Sequence, residues 1–96
     1  MAANYVDYEV LEQAIQVYTR EAGTISETIS NLDQMTNTLA EGWQNQTSNA
    51  FIERYETEYK NALEKMRDSL SEIADYIKRY RENVIENDVN GANAIS

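Results

Sequence analysis

The chain has no cysteine, no histidine and no proline, and only three glycines among 96 residues. Without cysteine no disulfide can staple a small domain. With histidine missing too, the common zinc sites, thiol nucleophiles and imidazole bases are excluded. Carboxylates at helical spacing, Glu9/Glu12 and Glu82/Glu86, imitate part of a di-metal bundle site. That site takes Glu-x-x-His from facing helices, so these carboxylates read as solvated. No glycine-rich phosphate loop is present. The sequence therefore predicts no enzyme, no cofactor and no metal.

A basic excess is lacking as well. Seventeen acids against eight bases leave a net charge of −9, which argues against nucleic acid and against anionic membrane surfaces. No apolar run approaches the roughly 20 residues of a membrane span, so direct membrane insertion is not expected. The opening "MAANYVDYEV" has neither the basic nor the apolar region of a cleavable signal peptide. The expectation is a cytoplasmic protein, or one that leaves by a route using no such signal.

What is present is helix pattern, favoured by the scarcity of breakers. From Tyr8 onward apolar residues recur in steps of three and four: Tyr8, Leu11, Ile15, Tyr18, Ala22, Ile25, Ile29 and Leu32, then Thr36 and Leu39. Asp7 is placed to cap this helix, with Glu9 and Glu12 in its first turns, where the helix dipole favours acids. A second stripe runs through Phe51, Tyr55, Tyr59, Ala62, Met66, Leu70, Ile73, Ile77, Tyr80 and Val84. The two helices, roughly 50 and 60 Å long at about 1.5 Å per residue, are joined by a short break and predict an antiparallel hairpin. Gly42 is read as a left-handed end to the first helix, and Asn45 as either a cap or a left-handed residue. The single expected domain, 1–96, thus divides into helix 1 at about 7–40, a turn at 41–46, helix 2 at about 47–86 and a flexible tail at 87–96.

The hairpin looks incomplete. Val10, Ala14 and Val17 on helix 1, with Ala74, Tyr76 and Ile85 on helix 2, widen the apolar faces beyond what one neighbouring helix covers. The fold class predicted is all-α: a two-helix hairpin dimerising into a four-helix bundle. Its seam is assigned to Leu11, Ile15, Tyr18, Ile25, Ile29 and Leu32 on one helix and Met66, Leu70, Ile73, Ile77 and Tyr80 on the other. Charge is uneven: seven acids and one base precede Trp43, while ten acids and seven bases follow from it. Helix 2 thus offers bases to an acidic helix 1, in the same or a partner chain.

The break itself, "EGWQNQTSNAF", holds the single tryptophan of the chain. Two helices in about 100 residues, with a Trp at the central turn, a small residue and then an aromatic eight positions on, resemble the WXG-motif family of type VII secretion substrates. Trp43 matches the Trp, Ala50 the small residue and Phe51 the aromatic, while Asn45 stands where that family has Gly. The start "VDYEVLEQA" is similar to the family's opening. The family's Tyr-x-x-x-Asp/Glu export signal is not found near the C-terminus; the pattern occurs only at Tyr5/Glu9 and Tyr8/Glu12. The resemblance implies a small non-enzymatic protein secreted without a cleavable signal peptide, serving as effector or export partner. It implies a homodimer, or a heterodimer with a WXG paralogue, and a type VII secretion ATPase as a further partner. Trp43, Asn45, Ala50 and Phe51 become the export or recognition motif; the alternative is that Trp43 only plugs the end of the bundle. A reading from another class is a non-secreted adaptor hairpin within a larger assembly.

Overall fold

The computed structural model describes the backbone of residues 6–95 and the side chains of residues 6–83. The first helix, α1 (Tyr8–Gly42), starts where Asp7 adopts an extended backbone and its carboxylate accepts the Val10 N–H at 3.2 Å. That bond satisfies one of the donors a helix start leaves open. Along α1 the residues Ile15, Ala22, Ile29 and Thr36 are buried. They stand one heptad apart, which keeps a single line of α1 against its neighbour. Leu11, Tyr18, Ile25 and Leu39 flank that line half-buried, and Leu32 is exposed.

The helix ends at Trp43, whose extended backbone (φ −139°, ψ 91°) stops the repeat while its N–H still donates to the Leu39 carbonyl at 2.8 Å. The left-handed end expected at Gly42 is not what forms. Gly42 is the last helical residue, and no described residue has a positive φ. Because an extended Trp43 breaks the helix, a left-handed glycine is not needed.

After Trp43, Gln44 and Asn45, the chain enters α2 (Gln46–Arg54), passes through one π-helical turn (Tyr55–Tyr59) and continues as α3 (Lys60–Ile95). A π turn holds one more residue than an α turn, and such turns are rare. Its effect is to shift the inward stripe by one residue. Before it, Ser48 and Tyr55 are buried and Ile52 is half-buried; after it, Ala74 is buried, and Leu63, Arg67, Leu70, Ile77 and Arg81 are half-buried. The continuous stripe expected from the sequence is therefore corrected beyond the turn. Tyr59, Ala62, Met66, Ile73 and Tyr80 stand exposed on the flank, while Leu70 and Ile77 border both lines.

Two ion pairs hold the helices in register, Lys60 Nζ to Asp33 Oδ2 at 3.1 Å and Arg81 to Glu12. Their partners lie three heptads apart on α1 and on α3, so the antiparallel pairing keeps one register throughout. The helix was expected to end at 86, with a flexible tail at 87–96; instead its backbone stays helical to Ile95. No proline interrupts it, and Gly91 costs a helix only about 1 kcal/mol. Fifty residues from Gln46 give roughly 75 Å of helix at 1.5 Å each, matching the longest dimension of 75 Å in a rod 23 and 17 Å across. The core is thin. Ile15, Ala22, Ile29, Tyr55 and Ala74 are the buried hydrophobic residues among those described.

Candidate functional site: the tryptophan turn and the uncovered face

Asn45 is held by a reciprocal cap. Its side-chain oxygen accepts the Ser48 N–H at 2.8 Å, and its own N–H donates to Ser48 Oγ at 3.0 Å. The Ser48 side chain is fully buried. This is a capping box built on Asn and Ser, and it satisfies two helix-start donors at once. It also explains why Asn can stand at this position. The backbone there is extended (φ −156°, ψ −179°), so the role needed is that of an N-cap, for which Asn ranks above Gly.

With the turn fixed in this way, Trp43 and Phe51 meet with ring centroids 6.2 Å apart and planes tilted by 39°. Trp43 is 37% exposed and Phe51 40%. The pair supports itself yet leaves a broad apolar surface open to water. Ala50 is exposed on a neighbouring face of α2, where it lines a shallow surface depression with Glu53, Arg54, Thr57 and Glu58. A rigid, half-covered aromatic of this kind suits recognition by another macromolecule.

Deeper in the hairpin, Tyr55 carries a polar cluster that the sequence did not single out. It is 5% exposed, and its hydroxyl donates to Asp33 Oδ1 at 2.9 Å. Asp33 also receives Lys60. Burial first, and the Asp33 carboxylate second, push the Tyr55 phenol up to about 12. Hydrogen bonds from Lys60 and then Tyr55 hold the Asp33 carboxyl below its usual value, and the bond to Asp33 raises Lys60. No spacing rule flags these three residues, because the π turn between Tyr55 and Lys60 brings both to the same carboxylate.

The residues assigned to the seam fall into three groups. Ile15 and Ile29 are buried between the helices. Leu11, Tyr18, Ile25, Leu70 and Ile77 are half-buried. Leu32, Met66, Ile73 and Tyr80 are exposed, at 38%, 56%, 38% and 46%. Val10, Val17, Met35, Tyr59 and Tyr76 are also exposed hydrophobics. Among the described residues, no group of acids is arranged to hold a metal ion and no helix is long and apolar enough to cross a membrane.

Comparison with known proteins agrees with this geometry. An uncharacterised protein of Clostridium acetobutylicum is 30% identical over 83 residues, covering 80% of this chain and 86% of that one. No solved structure matches the chain. The family model described as WXG100, proteins of 100 residues with WXG, matches residues 5–88. With Trp43 on the turn between two long helices and Asn in place of the motif's glycine, this chain belongs to the WXG100 family.

Proposed function

We propose that this protein is exported by a type VII secretion system as a dimer of helical hairpins, and that the Trp43 turn is read by the export machinery. Members of the WXG100 family are small helical proteins associated with type VII secretion, not enzymes, and the match covers most of this chain. The observation that carries the reading is the Trp43 turn. Its backbone is fixed by the Asn45–Ser48 box, while its two aromatic rings stay open to solvent. A ring that merely closed the end of a hairpin would be expected to sit inside it.

The dimer is supported by the exposed Met66, Ile73, Tyr76 and Tyr80, which add to Val10 and Val17 on α1. Burying the part of each side chain still open to water contributes a fraction of the roughly 1.5–3 kcal/mol that full burial gives. The partner is a second copy or a WXG paralogue, and the secretion ATPase is the receiving machinery. After export the protein acts as an effector, or as the partner that carries one. The decisive experiment follows the secreted and cell-associated fractions of Trp43→Ala. Secretion should fall steeply while the intracellular protein remains helical and at normal level. Normal secretion of a folded Trp43→Ala protein would remove the basis of this reading.

A further inference from the structure

The second half of the hairpin carries two apolar stripes on one helix. An uninterrupted α-helix from Tyr55 would place Tyr59, Ala62, Met66, Ile73, Tyr76 and Tyr80 in line with it, since these follow in steps of three, four or seven. The stripe that faces α1 is a different one. It runs through Lys60, Leu63, Arg67, Leu70, Ala74 and Ile77, with Arg81 beyond, and it is poorer in large apolar side chains. The one extra residue in the π turn at Tyr55–Tyr59 makes the difference. It rotates everything beyond by about 100°, the angle per residue of a 3.6-residue helix. The Lys60–Asp33 pair and the Tyr55–Asp33 bond clamp the turn on either side.

We propose that this π turn allots the two stripes: it gives α1 the poorer one and turns Tyr59, Met66, Ile73 and Tyr80 outward as the docking face for a second copy of this chain. The inference rests on the dimer reading above and specifies how the face is made. On α1, the flank on the same rotational side of the buried line carries Leu11, Tyr18, Ile25, Leu32 and Met35. Because the helices are antiparallel, equal rotation in each helix's own frame brings both flanks to one broad side of the rod. At the open end they meet, where Val6, Asp7, Val10, Leu11 and Tyr80 line a shallow groove, with Asp7 as the N-cap of α1 at its edge.

Both flanks are nearly free of charge in a chain of net −9. At the three- and four-residue steps from Leu11 to Met35 only Glu21 is charged, and from Tyr59 to Tyr80 none is. A face with so little charge asks for a partner face equally poor in charge, and a second copy supplies one. Its size is also adequate. About 24 residues of helix length, roughly 36 Å, across two helices about 20 Å wide give an area on the order of 700 Å², close to the roughly 800 Å² per partner of a stable interface.

Because the chain has no native cysteine, single cysteines report each stripe directly. Met66→Cys and Ala74→Cys are prepared in the full chain and treated with a maleimide across a dilution series, with mass followed by light scattering. Ala74 is 4% exposed and Met66 56%. The expected result is that Ala74→Cys stays protected at every concentration. Met66→Cys should react fast when dilute and slow on the order of tenfold as the dimer forms. If Ala74→Cys reacts as fast as Met66→Cys in the dilute sample, the stripes are not allotted as proposed. If the mass doubles while Met66→Cys keeps its rate, the dimer forms through another face and only this inference falls. A mass that stays at one chain, or doubles only with a paralogue, overturns the second-copy assignment, and a mass that stays at one chain even with a paralogue present also overturns the dimer reading itself.

Deleting Thr57, exposed within the π turn, is the second arm. It converts the turn to ordinary α-helix while leaving both flanking stripes in place, so the dimer mass and a cooperative melt should be retained. If helix 2 were in fact continuous, the same deletion would swing Lys60, Arg67 and Arg81 into the seam. Loss of the fold or of the dimer would therefore overturn the proposal.

Discussion

Trp43 and Tyr55 sit on neighbouring parts of the same end of the hairpin, and the structure treats them oppositely. Trp43 is the largest apolar side chain of the protein and lies 37% exposed on the turn; Tyr55, with less apolar surface and a hydroxyl, is 5% exposed between the helices. The tyrosine tolerates burial because its hydroxyl reaches Asp33 at 2.9 Å, and Asp33 is in turn paired with Lys60. Trp43 is positioned instead by backbone: an extended residue between a helix end and a capping box. One aromatic holds the hairpin together, and the other is held on its turn half-open to water. Size alone does not decide which side chain is structural.

The contrast breaks if Trp43 proves as important to stability as Tyr55. Tyr55→Ala should cost about 3–5 kcal/mol, as for other buried aromatics, with loss of the cooperative thermal transition. Trp43→Ala should cost about 1–2 kcal/mol and leave helicity intact by circular dichroism, its half-exposed ring losing less than a buried one. Equal costs in denaturant melts would make Trp43 a core residue.

The polar side of the contrast can be titrated. The Tyr55 phenol lies at about 12 against an ordinary 10.0, and Lys60 is raised as well. A group whose folded value is raised contributes stability in full below its unfolded value and loses it as pH rises through the folded value. Stability should therefore decline from about pH 10 upward, and phenolate absorbance should show one tyrosine ionising near pH 12. Asp33 is lowered, so its contribution is present above its ordinary 3.8 and is lost as pH falls through the depressed folded value. Tyr55→Phe should abolish the late phenolate step, weaken the alkaline decline and cost about 1 kcal/mol at neutral pH. A late step that survives Tyr55→Phe would assign it to another tyrosine.

Smaller effects test how the turn is held. Asn45→Ala should lose about 1 kcal/mol, whereas Asn45→Gly, which restores the motif's own residue, should lose only a few tenths. If Asn45→Gly were markedly stabilising, position 45 would have to be left-handed rather than extended. Gly42→Ala and Gly23→Ala are the mildest changes. Both sites are helical and have nothing within 4 Å of an added Cβ. Each should raise stability by about 0.5–1 kcal/mol in thermal or denaturant melts. A loss at Gly42 would restore the left-handed ending that the sequence suggested.

Much of this architecture is written in the residues themselves. The α1 line of Ile15, Ala22, Ile29 and Thr36, the Asp7 cap and the placement of Trp43 on the turn follow from heptad spacing and capping chemistry. The stripe of helix 2 was harder to read because two stripes overlap on it. Leu70 and Ile77 border both, so the series through Met66 and Ile73 looks as regular as the one through Leu63 and Ala74. Only the π turn separates them, and YETEY contains no glycine or proline to announce it. The helix continuing past residue 86 was equally hidden, since Asn-rich composition lowers helix preference without supplying a stop signal. Ser48 is not legible in the same way, because serine in a polar stretch reads as surface, whereas its burial follows from its reciprocal bonds with Asn45.

The dimensions of the rod carry a consequence for passage through a membrane channel. A single hairpin measures 75 by 23 by 17 Å, so its cross-section is scarcely wider than two helices side by side, each about 10–12 Å in diameter with its side chains. Moving lengthwise, it would clear a circular opening of roughly 30 Å with its helices still paired. A stacked pair of hairpins doubles the thinner dimension and needs a correspondingly wider bore. If the chain crosses a channel as a folded hairpin, the bore it needs follows from this cross-section alone.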